Sequence, residues 1–421
     1  MLTLDEALQR LLAVAQDRVI PDIEQIDTFD ALGRILARPV TSALDVPPAD
    51  NTSMDGYVLR AVDVPAEGTV LPVSQRIPAG VVGQPLQPGT AARIFTGAQV
   101  PPGADAVVMQ ELCEAVPDAS GAGLGQVRIN QVPAPGQWVR RRGEDVQLGA
   151  EVLHVGQRLT PQALGMAASV GTSRLKVRRR PKVAVFSTGD ELVMPGEPLK
   201  PGAIYNSNRF MLRGLLQAAG CEVQDLGIVP DNLAATRDAL KRAAADNDLI
   251  LSSGGVSVGE EDHIKPAVKA EGWLEAWQVV MKPGKPLAFG AVRRGGDLPD
   301  DAPATAAEAL FIGLPGNPVS SFVTFLLAVA PVLRAIQGCP AALPRPVLAR
   351  ADFAWPRPDK RREFVRVRFN ATGGLDLFPN QSSGVLTSAV WADGLADLAP
   401  GQVVQPGDTV PVLLLSALIG A

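Results

Sequence analysis

Ser252-Ser253-Gly254-Gly255-Val256-Ser257-Val258-Gly259 is the stretch of this sequence whose residue types most directly imply chemistry. Glycines in such a run let backbone N–H groups turn toward an anion and let a phosphate come close to the chain. A helix opening just beyond it, near Asp262, adds positive potential. Taken alone, a double glycine is more simply a tight connection from strand to helix; its neighbours change the reading. Ser187-Thr188-Gly189-Asp190-Glu191 and Gly313-Leu314-Pro315-Gly316-Asn317-Pro318 also follow strand-like runs. Glu191, Asp231 and Asp262 fall at the same carboxyl edge, where hard oxygen ligands suit Mg²⁺ bridging a pyrophosphate. Met281-Lys282-Pro283-Gly284-Lys285-Pro286 adds two cations on a proline-stiffened loop. Each charge by itself is an ordinary surface residue. Their convergence on one edge is the evidence for a site.

Asn51-Thr52-Ser53-Met54-Asp55-Gly56-Tyr57 and Arg93-Ile94-Phe95-Thr96-Gly97-Ala98 are polar, glycine-containing turns joined to short strands. The plain account makes them hairpin turns whose Asp and Thr side chains satisfy their own backbone. Arg140-Arg141-Arg142-Gly143-Glu144-Asp145 reads as a surface turn in the same way. His263 is expected to face solvent on a first helical turn, and His154 has no partner recognisable from the sequence. Cys113, Cys221 and Cys339 stand apart with no CxxC pair, which argues against a disulfide framework and a thiolate zinc site.

The elements that must position these residues follow from periodicity. Residues 4–17 place Leu4, Leu8, Leu11, Leu12 and Ala15 on one face of a helix, with Thr3 as a cap. From Asp45 to about Gly143 short β-type runs alternate with Pro and Gly, as in a β module inserted between helical pieces. Helical spacing returns over 161–170, and Arg178-Arg179-Arg180-Pro181 marks a boundary. Between about 182 and 338 strands and helices alternate, the pattern of a mostly parallel sheet covered on both faces. Residues 293–308, rich in Asp, Pro and Ala, are expected to be a mobile hairpin excursion. Beyond Pro340 the texture is β again: Phe364-Val365-Arg366-Val367-Arg368-Phe369 alternates apolar with basic, consistent with a small barrel.

At 421 residues and 46% hydrophobic, the chain can bury several cores. The expected fold is multidomain α/β plus β. Its parts are an N-terminal region over 1–180 (helical or extended over 1–44 and 144–180, with a β module over 45–143), a doubly wound α/β domain over 181–338, and a C-terminal β-barrel domain over 339–421. Thirty-nine basic against forty-four acidic residues and a net charge of −5 argue against general nucleic-acid binding. The first residues lack a signal-peptide pattern, and the longest apolar stretch, 325–333, is too short to span a bilayer and contains Pro331. The expected location is cytoplasmic.

Together these motifs, in this order and over nearly the whole chain, resemble the molybdopterin molybdenumtransferase family, of the bacterial MoeA type and the catalytic domain of gephyrin. The resemblance implies an enzyme that inserts molybdate into adenylylated molybdopterin and releases AMP in molybdenum cofactor biosynthesis, with Mg²⁺ as cofactor. It implies a homodimer with shared active sites and contact with other proteins of that biosynthesis. Glu191, Asp231 and Asp262 would hold the metal. Ser253, Gly254, Gly255, Val256, Ser257 and Gly259, with Pro315, Asn317 and Pro318, would bind the pterin nucleotide. Lys282 and Lys285 would attract molybdate and balance charge as AMP departs. Asp55, Thr96 and Asp145 match N-terminal positions that contribute to the cleft, and Ser383, in Asn380-Gln381-Ser382-Ser383-Gly384, matches a C-terminal one. Gln278 departs from the family pattern, which often has a lysine there, and the 293–308 insertion departs from the compact form. An adenylyltransferase or nucleotide-pyrophosphate hydrolase on the same central domain, or a gephyrin-like scaffold, are the competing readings.

Overall fold

Six strands set the centre of the computed structural model, which describes residues 1–117, 123–255, 263–295, 304–341 and 343–420. They are β1 (Lys182–Thr188), β2 (Glu222–Val229), β3 (Leu249–Ser253), β4 (Gly272–Gln278), β5 (Pro286–Arg293) and β6 (Glu308–Leu314), in the order β2-β1-β3-β6-β5-β4. The pairings among β2, β1, β3 and β6 are parallel, whereas β5 and β4 are antiparallel additions. β1, β3 and β6 are buried along all but their first residues or their whole length, and apolar through their centres, because both faces of the sheet are covered.

The period of two decides what each face meets. Val183, Val185, Leu249, Leu251, Leu310 and Ile312 point to one core, which also holds the apolar faces of α1 (Leu4–Gln16), α2 (Ser207–Ala218) and the long helix α5 (Pro318–Ile336). Ala184, Phe186, Ile250 and Phe311 point to the other, with α3 (Leu233–Asp246) and α4 (Ile264–Glu271). The chain start is fixed by a capping box: Thr3 Oγ1 accepts from the Glu6 N–H, and the Glu6 carboxylate accepts from the Thr3 N–H. Although α1 is first in sequence, its buried Leu4, Ala7, Leu11 and Ala15 belong to the central core. Each such leucine is worth at most about 3 kcal/mol of apolar burial.

The apolar stretch expected to be too short for a bilayer is part of α5, a 19-residue helix long and apolar enough to cross a membrane by length and composition; 94% of that window is buried inside the protein. Pro331 does not end it. The π-helical turn Phe325–Val329 widens the ladder at Leu327, the carbonyl that the proline ring would otherwise strike.

The segments on either side of the N-terminal β module contain, besides α1, one α-helix, Pro161–Ser169, and are otherwise held by short antiparallel pairs. Ile23–Asp27 pairs with Arg174–Arg178, and Val40–Thr41 with Glu151–Leu153. The module is a six-stranded sheet that includes Gly56–Leu59, Ala91–Ile94 and Ala106–Met109. Arg293 lies opposite Glu308 at the ends of two antiparallel strands, and residues 296–303 of the excursion expected over 293–308 lie outside the described residues. In the C-terminal region β7 (Arg362–Phe369) pairs with Leu375–Leu377, with Gly394–Leu398 and, in parallel, with Met281–Lys282 of the central region. Gly394–Leu398 continues to Thr409–Leu414 and then to Val347–Arg350, and a bridge from Ala351 to Leu375 returns the pairing to its start. The basic alternation of β7 holds only in part. Arg368 is exposed, but Arg366 is 1% exposed, because the chain over 381–388 folds across that face.

Candidate functional site

β3 ends in Ser252 and Ser253, both buried, and the chain then turns through two left-handed residues, Gly254 (φ +92°) and Gly255 (φ +64°). A Cβ on Gly255 would lie 2.7 Å from Ile264 Cδ1 and 3.0 Å from Thr188 Oγ1, so the turn needs glycine for both conformation and space. Gly254 N–H donates to the Leu314 carbonyl at 3.2 Å, tying this turn to the end of β6. Asn208 of α2 strengthens the tie, donating from Nδ2 to Ser253 Oγ at 2.8 Å and to the Gly316 carbonyl at 2.7 Å. Val256, Ser257, Gly259 and Asp262 lie outside the described residues.

At this edge a cavity of roughly 680 Å³ brings together Glu191, Asp231, Gly254, Gly255, Lys282, Lys285, Pro315, Asn317 and Ser383. Ser253 and Pro318 line an adjoining cavity of roughly 620 Å³ that shares Thr188, Glu191, Gly254 and Asn317 with the first. Asn317 is the N-cap of α5, but its side chain makes no capping bond, which leaves the amide to the cavity. Pro318 follows at the first helical position, where its missing N–H costs nothing.

The cations differ in how they are held. Lys282 donates from Nζ to Glu363 Oε1 at 3.0 Å and lies 3.8 Å from Asp359, so the C-terminal region fixes its position. Lys285 is exposed and makes no ion pair among the described residues. Gly284 between them (φ +97°) packs on α5, where a Cβ would meet Thr324 Oγ1 at 2.5 Å. Arg361 is a third cation in the lining; it grips Asp359 through Nε at 3.0 Å and Nη2 at 2.7 Å. That grip holds the Asp359 carboxyl well below the usual carboxylate range. Sequence reasoning missed Arg361, together with Gln381, Ser382 and Ser320 of the same lining. The run of five residues over Pro358-Asp359-Lys360-Arg361-Arg362 was the available signal, but its contact with the 282–286 loop bridges about 80 residues of sequence. Ser383 is anchored by its carbonyl, which accepts from the Val319 N–H at 3.0 Å.

Three expected residues are not brought to this cavity within the chain. Asp55 Oδ1 accepts from the Thr96 N–H and from Thr96 Oγ1, both at 2.7 Å, so these two residues join the two turns to each other, while Thr52 serves its own turn, donating to the Met54 carbonyl at 2.8 Å and accepting from the Met54 N–H at 3.1 Å. The Thr96 hydroxyl, then its N–H, hold the Asp55 carboxyl below its ordinary value. Asp145 is exposed beside Arg141 and Arg142, which pair with Asp50 and Asp45. Gln278 is exposed at the end of β4 and is not among the lining residues. Among the described residues no three His, Cys, Asp or Glu side chains converge as a metal site. Of the expected metal set, Glu191 and Asp231 share the cavity. His154 does have a partner, Glu151, at 2.6 Å, on the exposed surface.

The arrangement brings two carboxylates, three cations and a glycine turn to one cavity, groups suited in kind to a phosphoanhydride, a hard metal ion and a small oxyanion. Three family models match the chain in succession: MoeA N-terminal region (domain I and II) over residues 2–171, probable molybdopterin binding domain over 184–335, and MoeA C-terminal region (domain IV) over 348–415. A molybdopterin molybdenumtransferase of Haemophilus influenzae is 41% identical over 339 residues, 80% of this chain and 78% of that one. One of Nostoc sp. is 38% identical over 408 residues, 94% of this chain and 89% of its own. Among solved structures, a molybdopterin biosynthesis MoeA protein from Pyrococcus horikoshii superposes with a TM-score of 0.80 at 28% identity, covering 98% of this chain and 100% of that one.

Proposed function

The chain belongs to the molybdopterin molybdenumtransferase family, of the MoeA type, and from that premise we propose that its strand-edge cavity is where molybdate is passed to an adenylylated molybdopterin as AMP is released. The observation that carries this reading is that Lys282, Lys285 and Arg361 line the same cavity as Glu191, Asp231 and the Gly254-Gly255 turn. The glycine turn and the amides beyond it would hold the phosphates. Asn317, Pro315 and the Ser253 and Pro318 side of the adjoining cavity would hold the rest of the nucleotide. Lys285, free of ion pairs among the described residues, is the group best placed to draw in a dianion, with Lys282 and Ser383 completing its binding.

The donors of Glu191 and Asp231 are oxygen only and so fit Mg²⁺ in kind, with Asp262 proposed as a third. Mg²⁺ held there would offset the charge of the anhydride. The chain's own contribution is orientation: the phosphates would lie against the Gly254-Gly255 turn, and the oxyanion would be kept beside the lysines.

Asp55, Thr96 and Asp145 are proposed to act from the second subunit of a two-fold dimer, since they lie in the N-terminal region and do not line this cavity within one chain. Three units are proposed, with the boundaries given above: the N-terminal region with its inserted β module, the doubly wound domain and a small β-barrel. A cytoplasmic location, and association with other proteins of cofactor biosynthesis, complete the proposal. The adenylyltransferase and hydrolase alternatives are disfavoured because the matched regions include the N- and C-terminal ones, and the scaffold alternative because Glu191, Asp231 and the Gly254-Gly255 turn are retained in the cavity. The test is AMP release from adenylylated molybdopterin by the purified protein. Release with molybdate and none without it is expected; molybdate-independent hydrolysis would overturn the reading.

A further inference from the structure

At the end of α5 opposite Asn317 lies a separate cavity of roughly 560 Å³, which shares no lining residue with the strand-edge cavity. The N-terminal region contributes Arg158 to it, α2 contributes Leu215, α5 contributes Phe325, Leu333 and Arg334, and the helix Leu415–Gly420 contributes Leu418. The walls are largely apolar, no carboxylate lines them, and the two charged groups are both cations. Arg334 Nε and Nη2 are shut off from solvent and have no hydrogen-bond partner. Arg158 is half-buried and makes no ion pair or side-chain hydrogen bond among the described residues. Burial pulls the Arg334 guanidinium below its ordinary value, and the nearby Arg158 charge adds to the fall. Cys339 lies beside both arginines, but burial pushes its thiol up to about 11, so it is neutral and serves as no counter-ion.

Two like charges held near each other against apolar walls repel one another and are poorly solvated, so neither helps the fold. Other half-buried arginines of this chain are paired: Arg209 grips Asp225, and Arg179 grips Asp248. The last turn of α5 suits a single cation, because the carbonyl ends there carry partial negative charge, and this accounts for Arg334 by itself. It does not account for a second arginine brought to the same cavity from a segment far earlier in the chain. A bare inorganic anion would pair with the guanidinium groups and leave the apolar walls wet. A neutral apolar molecule would cover the walls and leave the guanidinium groups unpaired. An anion with an apolar body satisfies both, and the volume falls within the range of about 300–1,000 Å³ common for small-molecule sites.

We propose that this cavity is a binding site for a small amphipathic carboxylate, whose head lies between Arg334 and Arg158 and whose apolar body covers Leu215, Phe325, Leu333 and Leu418. The carboxylate supplies the acceptors that Arg334 Nε and Nη2 lack, and the body takes the place of water on the apolar walls. The inference is independent of what the strand-edge cavity binds.

The experiment is calorimetric titration of the full-length protein with decanoate, decanol and acetate, each below the concentration at which it aggregates, for wild type, Arg334→Met, Arg158→Met and Ala417→Phe. Wild type should bind decanoate at least about tenfold more tightly than decanol, and acetate not measurably, because the charge and the apolar body both contribute. Arg334→Met keeps the length of the side chain and loses the charge; it should weaken decanoate about tenfold and change decanol less than about twofold. Its thermal midpoint should hold or rise, since donors without acceptors are removed. Arg158→Met should weaken decanoate by about threefold or more, again without affecting decanol. Ala417→Phe puts a ring into the cavity from the helix Leu415–Gly420 and should remove binding of both long-chain probes. Absence of decanoate binding to wild type, equal affinity for decanoate and decanol, or unchanged decanoate affinity in a folded Arg334→Met would each overturn the proposal. So would binding that survives Ala417→Phe, which would place the probe elsewhere, and so would a lowered midpoint in Arg334→Met with equal loss of both long-chain probes, which would make Arg334 structural. Should Arg334→Met fail to fold, Arg158→Met decides alone: unchanged decanoate affinity overturns the inference. Protein that releases no AMP but binds decanoate in the expected pattern would contradict the proposed reaction and support this site.

Discussion

Replacing Glu363 with glutamine should tighten the hold on molybdate while leaving the fold nearly intact. Glu363 is 1% exposed, and its two oxygens have separate duties. Oε2 accepts from Trp355 Nε1 and from the Asp359 N–H, both at 2.8 Å, whereas among the described residues Oε1 accepts only from Lys282 Nζ at 3.0 Å. A glutamine can keep its amide oxygen where Oε2 stood and lose only the bond to Lys282. The Lys282 side chain is 41% exposed and can turn to water, so this loss should cost no more than about 1 kcal/mol. Alanine, by contrast, leaves two buried neutral donors without an acceptor, at about 1–3 kcal/mol each. The stability gap between the two variants should therefore be several kcal/mol in urea denaturation. Removing one negative charge from beside Lys282 makes the cavity more positive, and at the effective dielectric of such a site this is worth on the order of 1 kcal/mol, or about fivefold in affinity for a dianion. The assay is molybdate titration of AMP release, with half-saturation compared between wild type and Glu363→Gln. An unchanged or raised half-saturation in a variant of normal stability would refute the placement of Lys282 in the oxyanion site. Equal destabilisation by glutamine and alanine would refute the division of labour between the two oxygens.

Gly284→Ala meets both a left-handed backbone, worth about 1–2 kcal/mol, and an overpacked contact with Thr324, worth about 1–3. Urea denaturation should show a loss of about 2–5 kcal/mol, and a loss below 1 would mean that the 282–286 loop yields instead. The depressed Asp55 carboxyl means that its link to Thr96 stabilises the fold above the ordinary carboxylate value and is lost as pH falls through the depressed one. In carboxyl NMR titration the Asp55 midpoint should lie below about 3.9 and move toward it in Thr96→Val; coincident midpoints would contradict the pairing. Gln278→Lys should leave the molybdate half-saturation within about twofold, because the site lies outside the cavity lining; a large decrease would place residue 278 nearer the oxyanion than the structure does. Co-expressed Asp55→Asn and Glu191→Gln chains should recover roughly a quarter of wild-type sites if each cleft draws on both subunits. No recovery in mass-verified mixed dimers would leave Asp55 a structural residue.

What the sequence made legible was local. Continuous apolar runs ending in glycine, serine or asparagine placed β1, β3 and β6 and the residues at their carboxyl ends, because strand and turn chemistry act over a few residues. Contacts that join distant segments were not legible. Nothing near Lys282 points to Glu363, and nothing near Asp55 points to Thr96; each pair is set by which distant strands lie side by side in one sheet. Alternation along β7 put Arg366 on a solvent face, and only the folding of the 381–388 segment over it turns that position into a buried one. α1 reads as part of an N-terminal region, but its apolar face is complementary to α5, which lies some 300 residues later.

The central claim is that one cavity couples the fate of the oxyanion to cleavage of the anhydride. The most direct measurement is a single-turnover reaction of the wild-type protein with adenylylated molybdopterin and limiting molybdate, in which molybdenum bound to the pterin and AMP formed are both counted. Coupling predicts equal amounts, with both falling together in Lys285→Ala and both restored by excess molybdate. AMP formed in excess of pterin-bound molybdenum, or formed at an undiminished rate in Lys285→Ala at limiting molybdate, would contradict it.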